Sequence, residues 1–116
     1  MRRHEIEAWL CGPDTKPMPA TDIAAALGVP LERLAASLGV RVDSLRRPTP
    51  ELQERLRPYQ LTVAVLRDIY SSDADVSLWL RTPRFELGGR PIDILLSGDP
   101  NVVESATVAA WRGEAA

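Results

Sequence analysis

Cysteine and histidine are nearly absent from this chain, and their scarcity excludes several kinds of chemistry. The 116 residues include one cysteine, Cys11, and one histidine, His4. A single cysteine cannot close an intramolecular disulfide, and one Cys with one His does not supply the usual ligands of a zinc site. No Cys–His or Ser–His pairing for nucleophilic catalysis is indicated either. We interpret both residues as incidental and expect neither a metal nor a cofactor.

Long apolar runs are also missing. No stretch approaches the roughly 18 apolar residues that a membrane-spanning helix needs. At the N-terminus, Arg2 and Arg3 are followed by the polar residues His4, Glu5 and Glu7 instead of the apolar core of a signal peptide. We therefore expect a cytoplasmic protein without a membrane partner.

Lysine is scarce as well, since Lys16 is the single lysine among 14 basic residues. A net charge of −2 argues against indiscriminate coating of nucleic acid, although a local basic face is compatible with it. Arginine suits bidentate recognition of phosphates and carboxylates, but the same bias follows from a GC-rich genome. The sequence has no paired carboxylates at an apolar site and no Gly-rich phosphate loop before a lysine, so we expect no catalytic residue and no enzyme.

The chain does contain a series of short helical patterns separated by proline and glycine. In residues 1–19, the spacing of Ile6, Trp9 and Leu10 predicts a helical arm, which a proline-rich linker ending at Pro19 separates from the rest. Burial of Trp9 would stabilise the chain by about 2 kcal/mol, which favours a docked arm over a mobile one.

Residues 20–50 have the pattern of a helix-turn-helix. Thr21 or Asp22 is expected to cap a first helix that ends at Gly28, and the second helix begins at Pro30 and ends at Gly39. A third, short helix covers Val42–Arg47, with Leu45 as its buried anchor.

The third helix would face DNA in this interpretation. The anchors leave a set of polar residues for a major groove, namely Arg41, Asp43, Ser44, Arg46 and Arg47. Pro48 and Pro50 shorten the helix, and the carboxylate of Asp43 repels phosphate. DNA contact by this chain therefore stays open.

A long helix with two apolar rows is predicted after the cap at Thr49. The first row, which we call the seam, has heptad-like spacing and consists of Leu52, Leu56, Tyr59, Val63, Leu66 and Tyr70. The second row has Leu61, Val65 and Ile69, so the helix must be covered on two sides, by its own domain and by another chain in our interpretation. This predicts a homodimer. Pro58 kinks or divides the helix, and the uninterrupted phase of the seam favours a kink.

The stretch from residue 78 to residue 96 predicts a helix, a turn and another helix. A helix containing Trp79 must stop before Pro83, because the residue that precedes a proline is pushed out of the helical region. Gly88 and Gly89 supply positive φ in the turn, and Pro91 suits the first position of the next helix.

This residue order resembles the toxin-binding domain of Xre/MbcA/ParS-type antitoxins. The resemblance covers about half of the chain, from residue 56 to the C-terminus. It is carried by Trp79, Leu80, Pro83, Leu87, Gly88, Gly89, Arg90, Pro91, Asp93 and Leu95. The helix-turn-helix pattern of residues 20–50 is similar to Xre-like repressors in Leu34-Ala35, Leu38-Gly39-Val40 and Leu45.

The resemblance implies an all-α protein with a helix-turn-helix head, residues 20–50, and a small helical toxin-binding domain, residues 51–116. It further implies an antitoxin of a type II toxin–antitoxin pair whose partner is a RES-domain toxin, an NAD-consuming enzyme. The antitoxin would cover the NAD pocket of that enzyme, and its head would bind operator DNA.

Within the motif, most residues are expected to form the fold, in particular Trp79, Pro83, Gly88, Gly89, Pro91 and Asp93. The expected contacts to the toxin are Arg84, Arg90, Trp111 and Arg112, although a Trp111 folded back on its own domain is equally compatible with the sequence. Two other functions stay open: a stand-alone repressor with a C-terminal dimerisation domain, and an interaction module that has lost DNA binding.

Overall fold

The computed structural model of the chain describes residues 17–113, which contain seven α-helices and no strand. The all-α prediction is therefore confirmed for this part of the chain. The predicted arm with Trp9 lies outside the described residues. We number the helices α1 (Ala20–Leu27), α2 (Leu31–Leu38), α3 (Val42–Arg46), α4 (Pro50–Ile69), α5 (Asp73–Arg81), α6 (Pro91–Leu96) and α7 (Pro100–Trp111), with a 3₁₀ turn at Phe85–Leu87.

The first three helices pack against one another, and two of them end as the sequence predicts. Gly28 and Gly39 take the left-handed conformation after α1 and α2, with φ of 73° and 68°. The predicted side-chain cap of α1 is wrong, because the helix begins at Ala20, so that Thr21 and Asp22 lie inside its first turn, and Pro19 precedes it without a capping side chain. In α3, Leu45 is buried and anchors the helix.

The long helix α4 runs unbroken from Pro50 to Ile69. Its start is the predicted one, since the Thr49 hydroxyl accepts a hydrogen bond from the Leu52 amide at 3.2 Å. Pro58 lies inside the helix, and the hydroxyl of Thr62 donates to the Pro58 carbonyl at 2.8 Å. Of the two alternatives for Pro58, division into two helices is therefore excluded.

Most residues of the two apolar rows of α4 are covered within this chain. The seam residues from Leu52 to Leu66 are buried in the main core, and Tyr70 packs at its edge. Leu61 and Val65 of the second row are buried beneath Trp111 and Val108 of α7. Another chain is therefore not needed to cover Leu61 and Val65, because α7 covers them, while Ile69, the third residue of the row, is 37% exposed. The homodimer stays a prediction, but the seam no longer supports it.

One core joins the two predicted parts of the chain. Buried side chains from α1 to α3 form a continuous cluster with those from α4 to α7. Helix α1 packs on both α4 and α5, and α2 packs on α6. The predicted boundary near residue 50 therefore separates segments that bury their side chains together.

Two arginines extend from the second part to the helix ends of the first. Arg55 of α4 donates to the Leu38 carbonyl at the end of α2. Arg81 of α5 donates to the carbonyls of Leu27 and Gly28, at 3.1 and 3.3 Å, where α1 ends. Cations at these positions satisfy carbonyls that have no partner inside the helix and interact favourably with the helix dipole.

The motif turn is closed by its own backbone. The Arg84 amide donates to the Gly89 carbonyl at 2.9 Å, and the Gly88 amide donates to the Arg84 carbonyl at 3.0 Å. Gly88 has the predicted positive φ, 74°, but positive φ at Gly89 was a wrong expectation. Pro91 then opens α6, as predicted.

Within residues 17–113, no helix has both the length and the apolar content to cross a membrane.

Candidate functional site

We call residues 78–93 the corner, because they connect α5 to α6 and carry most of the motif. Trp79 and Leu80 at its start are buried in the core, as is Leu95 just beyond its end. These three side chains hold the corner onto the body of the protein. The groups available to a partner come from the turn between the two helices and from Leu78 of α5.

Arg84 lies against the core of the corner. Its guanidinium carbon is 4.7 Å from the centre of the Trp79 ring, which is the geometry of a cation–π contact. The Nε atom is buried and has no hydrogen-bond acceptor among the described residues. The side chain as a whole is half-buried. Arg84 is thus fixed in orientation while part of its hydrogen-bonding capacity stays unused.

Arg90 is exposed but already has a partner within the motif. Its Nε and Nη2 atoms donate to the two carboxylate oxygens of Asp93 at 2.7 and 2.9 Å. These hydrogen bonds lower the pKa of Asp93 and raise the pKa of Arg90. The Arg-Pro-x-Asp part of the motif is therefore a bidentate ion pair at the start of α6.

Phe85 is the prominent residue of the corner that the sequence analysis missed. Its side chain is 101% exposed, and that of Leu78 is 66% exposed. Phe85 stands in the turn between two charged residues, Arg84 and Glu86. The lone phenylalanine of the chain in a polar turn was the available indication, because no helix face accounts for it.

A small hollow lies next to this turn. It has a volume of about 200 Å³ and is open to solvent. Its lining combines aromatic and aliphatic side chains with one cation and one carboxylate, and consists of Tyr70, Asp75, Leu78, Trp79, Thr82 and Arg84.

Trp111 was expected to be exposed and to contact the toxin, but the structure shows it buried. Trp111 is 5% exposed, packs on Leu61 and Val65, and donates its indole N–H to Asp68 at 2.7 Å. The alternative of a Trp folded back on its own domain is the one observed, because the second row of α4 needs an apolar cover. Arg112 is exposed, as expected.

The residues predicted to face DNA are exposed together on and beside α3. Arg41, Ser44, Arg46 and Arg47 all point away from the core that buries Leu45. Arg46 forms an ion pair with Asp43 at 3.1 Å, so part of its charge is neutralised locally.

A second groove, of about 500 Å³, lies where α2, α4 and α7 meet. It contains groups of both signs, including Arg55, Arg57 and Glu104. Partial burial raises the pKa of Glu104, and the positive charge of Arg57 opposes that shift. Among the described residues, no group of three or more His, Cys, Asp or Glu side chains is placed to hold a metal ion.

Comparison with protein-family models, curated proteins and solved structures finds no match to this chain. The resemblance to antitoxins therefore rests on the motif residues alone.

Proposed function

We propose that this chain is the antitoxin of a type II toxin–antitoxin pair and that it binds a RES-domain toxin, covering the NAD pocket of that enzyme. The observation that carries the proposal is the corner. The residues whose order resembles the antitoxin family form one ordered turn, and this turn presents exposed apolar and cationic groups beside each other.

The proposed mechanism is occlusion. A rigid turn loses little conformational entropy on binding, so it can fill the entrance of a pocket with little ordering penalty. Arg84 and Arg90 of the corner and Arg112 at the end of α7 are the proposed cationic contacts. The chain needs no catalytic group for this role, because the buried area around the turn slows release of the partner.

The test is inhibition of the toxin by the purified full chain. The proposal requires the adjacent gene to encode a RES-domain enzyme, whose NAD consumption is measured while the chain is titrated in. We expect inhibition that is complete near stoichiometric amounts, co-purification of the two proteins, and rescue of growth on co-expression. An enzyme that keeps consuming NAD in a large excess of the chain would refute the proposal.

Deletion of the C-terminal helix is a poor test of the same idea. Truncation after Gly98 removes α7 and exposes Leu61 and Val65 of α4. Loss of neutralisation would then follow from unfolding as readily as from a lost contact. Single substitutions at exposed positions separate the two effects.

DNA binding by the head is the second candidate function. The observation in its favour is that α3 buries Leu45 and exposes Arg41, Ser44 and Arg47 together. We expect the chain to shift DNA from its own promoter, with an affinity that falls steeply between about 50 and 200 mM salt. Arg47→Ala is expected to lower the salt slope by about 1 if Arg47 contacts a phosphate.

Co-purification with the enzyme and the DNA shift assay together distinguish the antitoxin from the two other functions. A stand-alone repressor shifts operator DNA strongly and forms no complex with the product of the adjacent gene. A pure interaction module forms the complex and shifts no DNA. The antitoxin proposal places the protein in the cytoplasm with its partner, and light scattering at micromolar concentration tests the predicted homodimer.

A further inference from the structure

We infer that Phe85 and the hollow beside it form the main contact with the partner, and that the partner offers an apolar pocket next to a carboxylate. We call Phe85, Leu78, Tyr70, Trp79 and Arg84 the Phe85 surface. The inference deepens the proposed function and rests on it, because it assigns this surface to the RES-domain enzyme.

Phe85 is presented by an ordered turn. The Arg84 carbonyl accepts from the amides of Leu87 and Gly88 at 3.1 and 3.0 Å, and the Arg84 amide donates to Gly89. The phenyl ring is nevertheless fully exposed. An aromatic ring on a fixed backbone contributes apolar area at a low entropy penalty, which is how aromatic residues act at the centre of protein interfaces.

The hollow is lined by Arg84, the residue that precedes Phe85 in the chain. Leu78, two-thirds exposed, and the half-buried Tyr70 line it together with Trp79. Phe85 follows Arg84 directly in the chain, and the Arg84 side chain belongs to the lining. An exposed ring one residue along the chain from the lining of a recess of about 200 Å³ gives a partner both a group to enclose and a place to insert one of its own.

The positive charge of Arg84 indicates which group the partner should offer. Among the described residues, Arg84 has no ion-pair partner, and its Nε atom has no acceptor. The stack on Trp79 holds the guanidinium at the apolar surface, where a carboxylate from a partner forms a stronger hydrogen bond than it would in water.

A protein fits this surface better than a nucleic acid does. Asp75 lines the hollow with Arg84, and Glu86 lies two residues after Arg84 in the chain, so the surface has carboxylates as well as a cation. Phosphates would be repelled by both. A polypeptide carboxylate beside an apolar pocket meets Arg84 and Phe85 at once.

The experiment compares two exposed apolar residues of the full chain. Phe85→Ser removes the ring from the corner, and Val102→Ser is the matched control on α7, where Val102 is 42% exposed. Calorimetric titration into the purified RES-domain enzyme is expected to give a dissociation constant about 30-fold higher for Phe85→Ser and within about 2-fold of wild type for Val102→Ser. Both variants should unfold at nearly the wild-type temperature, because neither side chain is buried.

A third variant tests the charge. Arg84→Ala is expected to weaken binding about 10-fold and to reduce its dependence on salt, as loss of an ion pair requires. Circular dichroism is the check that the variant stays folded without the contact between Arg84 and Trp79.

The outcomes distinguish this inference from the proposed function. If the wild-type chain neither binds nor inhibits the enzyme, the proposed function fails and the inference fails with it. If wild type inhibits and Phe85→Ser inhibits equally well, the inference alone is overturned. A wild-type dimer that Phe85→Ser converts into a monomer, seen by analytical ultracentrifugation, also overturns it, because a second copy would then occupy the surface.

Discussion

At the scale of single residues, two glycines share a backbone conformation but differ in their surroundings. Gly28 and Gly39 both have positive φ. A Cβ atom on Gly28 would lie 2.9 Å from Nη2 of Arg81, whereas a Cβ on Gly39 would meet nothing within 4 Å. The end of an arginine side chain usually moves aside easily. Here it is held by the carbonyls of Leu27 and Gly28, so moving it breaks hydrogen bonds.

We therefore predict that Gly28→Ala destabilises the protein more than Gly39→Ala does. Each substitution carries the left-handed backbone penalty of about 1 kcal/mol, and Gly28→Ala adds about 1 kcal/mol for the displaced Arg81. Urea unfolding followed by circular dichroism measures both. In an Arg81→Ala background the two alanine substitutions should become equal, and a difference that persists there would contradict the explanation.

The ion pair of the motif predicts a pH effect at Asp93. Hydrogen bonds from Arg90 hold the pKa of Asp93 below the ordinary aspartate value, and the charge of Arg33 acts in the same direction. A group with a depressed pKa contributes stability above its unfolded pKa, and this contribution is lost as the pH falls through the folded pKa. The effect is therefore confined to acidic solution.

Carboxyl-carbon NMR titration of Asp93 checks this prediction. We expect a midpoint below that of an unpaired aspartate in the wild-type chain and a return to the ordinary range in Arg90→Ala. Equal midpoints in the two proteins would show that the ion pair does not form in solution. Both side chains are exposed, so the accompanying change in stability should be small.

Most helix starts and ends were predictable from the residues next to them in the sequence. Contacts between residues far apart in the sequence were not. Thr49, Gly39 and Pro91 act on atoms a few residues away, so the sequence shows their role directly. Arg81 caps a helix that ends more than fifty residues earlier, and nothing in its own neighbourhood indicates that target. Phe85 was missed for a related reason, since helix periodicity does not describe a turn.

At the scale of elements, the sequence did not show which helix packs on the second row of α4, and the structure shows that α7 does. The second row of α4 required a cover, but apolar spacing does not tell whether the cover comes from the same chain. In the structure the cover comes from the same chain, because Trp111 packs on Leu61 and Val65. The buried face of α7 contains Val103, Thr107 and Trp111 at intervals of four residues.

Removal of the Trp111 side chain should therefore be severe. We predict that Trp111→Ala lowers the free energy of unfolding by about 3–5 kcal/mol, because it leaves a large cavity between α4 and α7. Trp111→Phe keeps most of the packing and loses the hydrogen bond to Asp68, which costs about 1–2 kcal/mol.

Arg112→Ala is the control for that series. The side chain is next to Trp111 but exposed, so its loss should change the unfolding free energy by less than about 0.5 kcal/mol. Denaturant unfolding of the four proteins gives the comparison. A Trp111→Ala protein as stable as Arg112→Ala would mean that α7 does not hold its place on α4.

At the scale of the whole molecule, the shared core predicts a single unfolding transition. Helices α1–α3 cover the seam of α4, so neither predicted part can lose its packing without the other. Circular dichroism and tryptophan fluorescence should report the same urea midpoint. Two separated transitions would restore residues 20–50 as an independent domain.

A fragment that begins at Glu51 tests the same point from the other side. It lacks Thr49, which caps α4, and all of the side chains from α1–α3 that bury Leu52, Leu56 and Tyr59. We expect this fragment to show no sharp thermal transition, whereas the full chain shows one. A fragment that melts as cooperatively as the full chain would contradict the shared core.

The arginines that donate to the last carbonyls of α1 and α2 have a consequence for folding during translation. Translation delivers α1 and α2 first, but the groups that complete their last turns, Arg55 and Arg81, are synthesised later. The leading helices therefore wait, with open carbonyls and uncovered leucines, until the segment with Arg81 has left the exit tunnel. The ends of α1 and α2 are therefore completed only after α5 has been synthesised, and a partner that requires the finished corner must wait for the residues up to α6 as well.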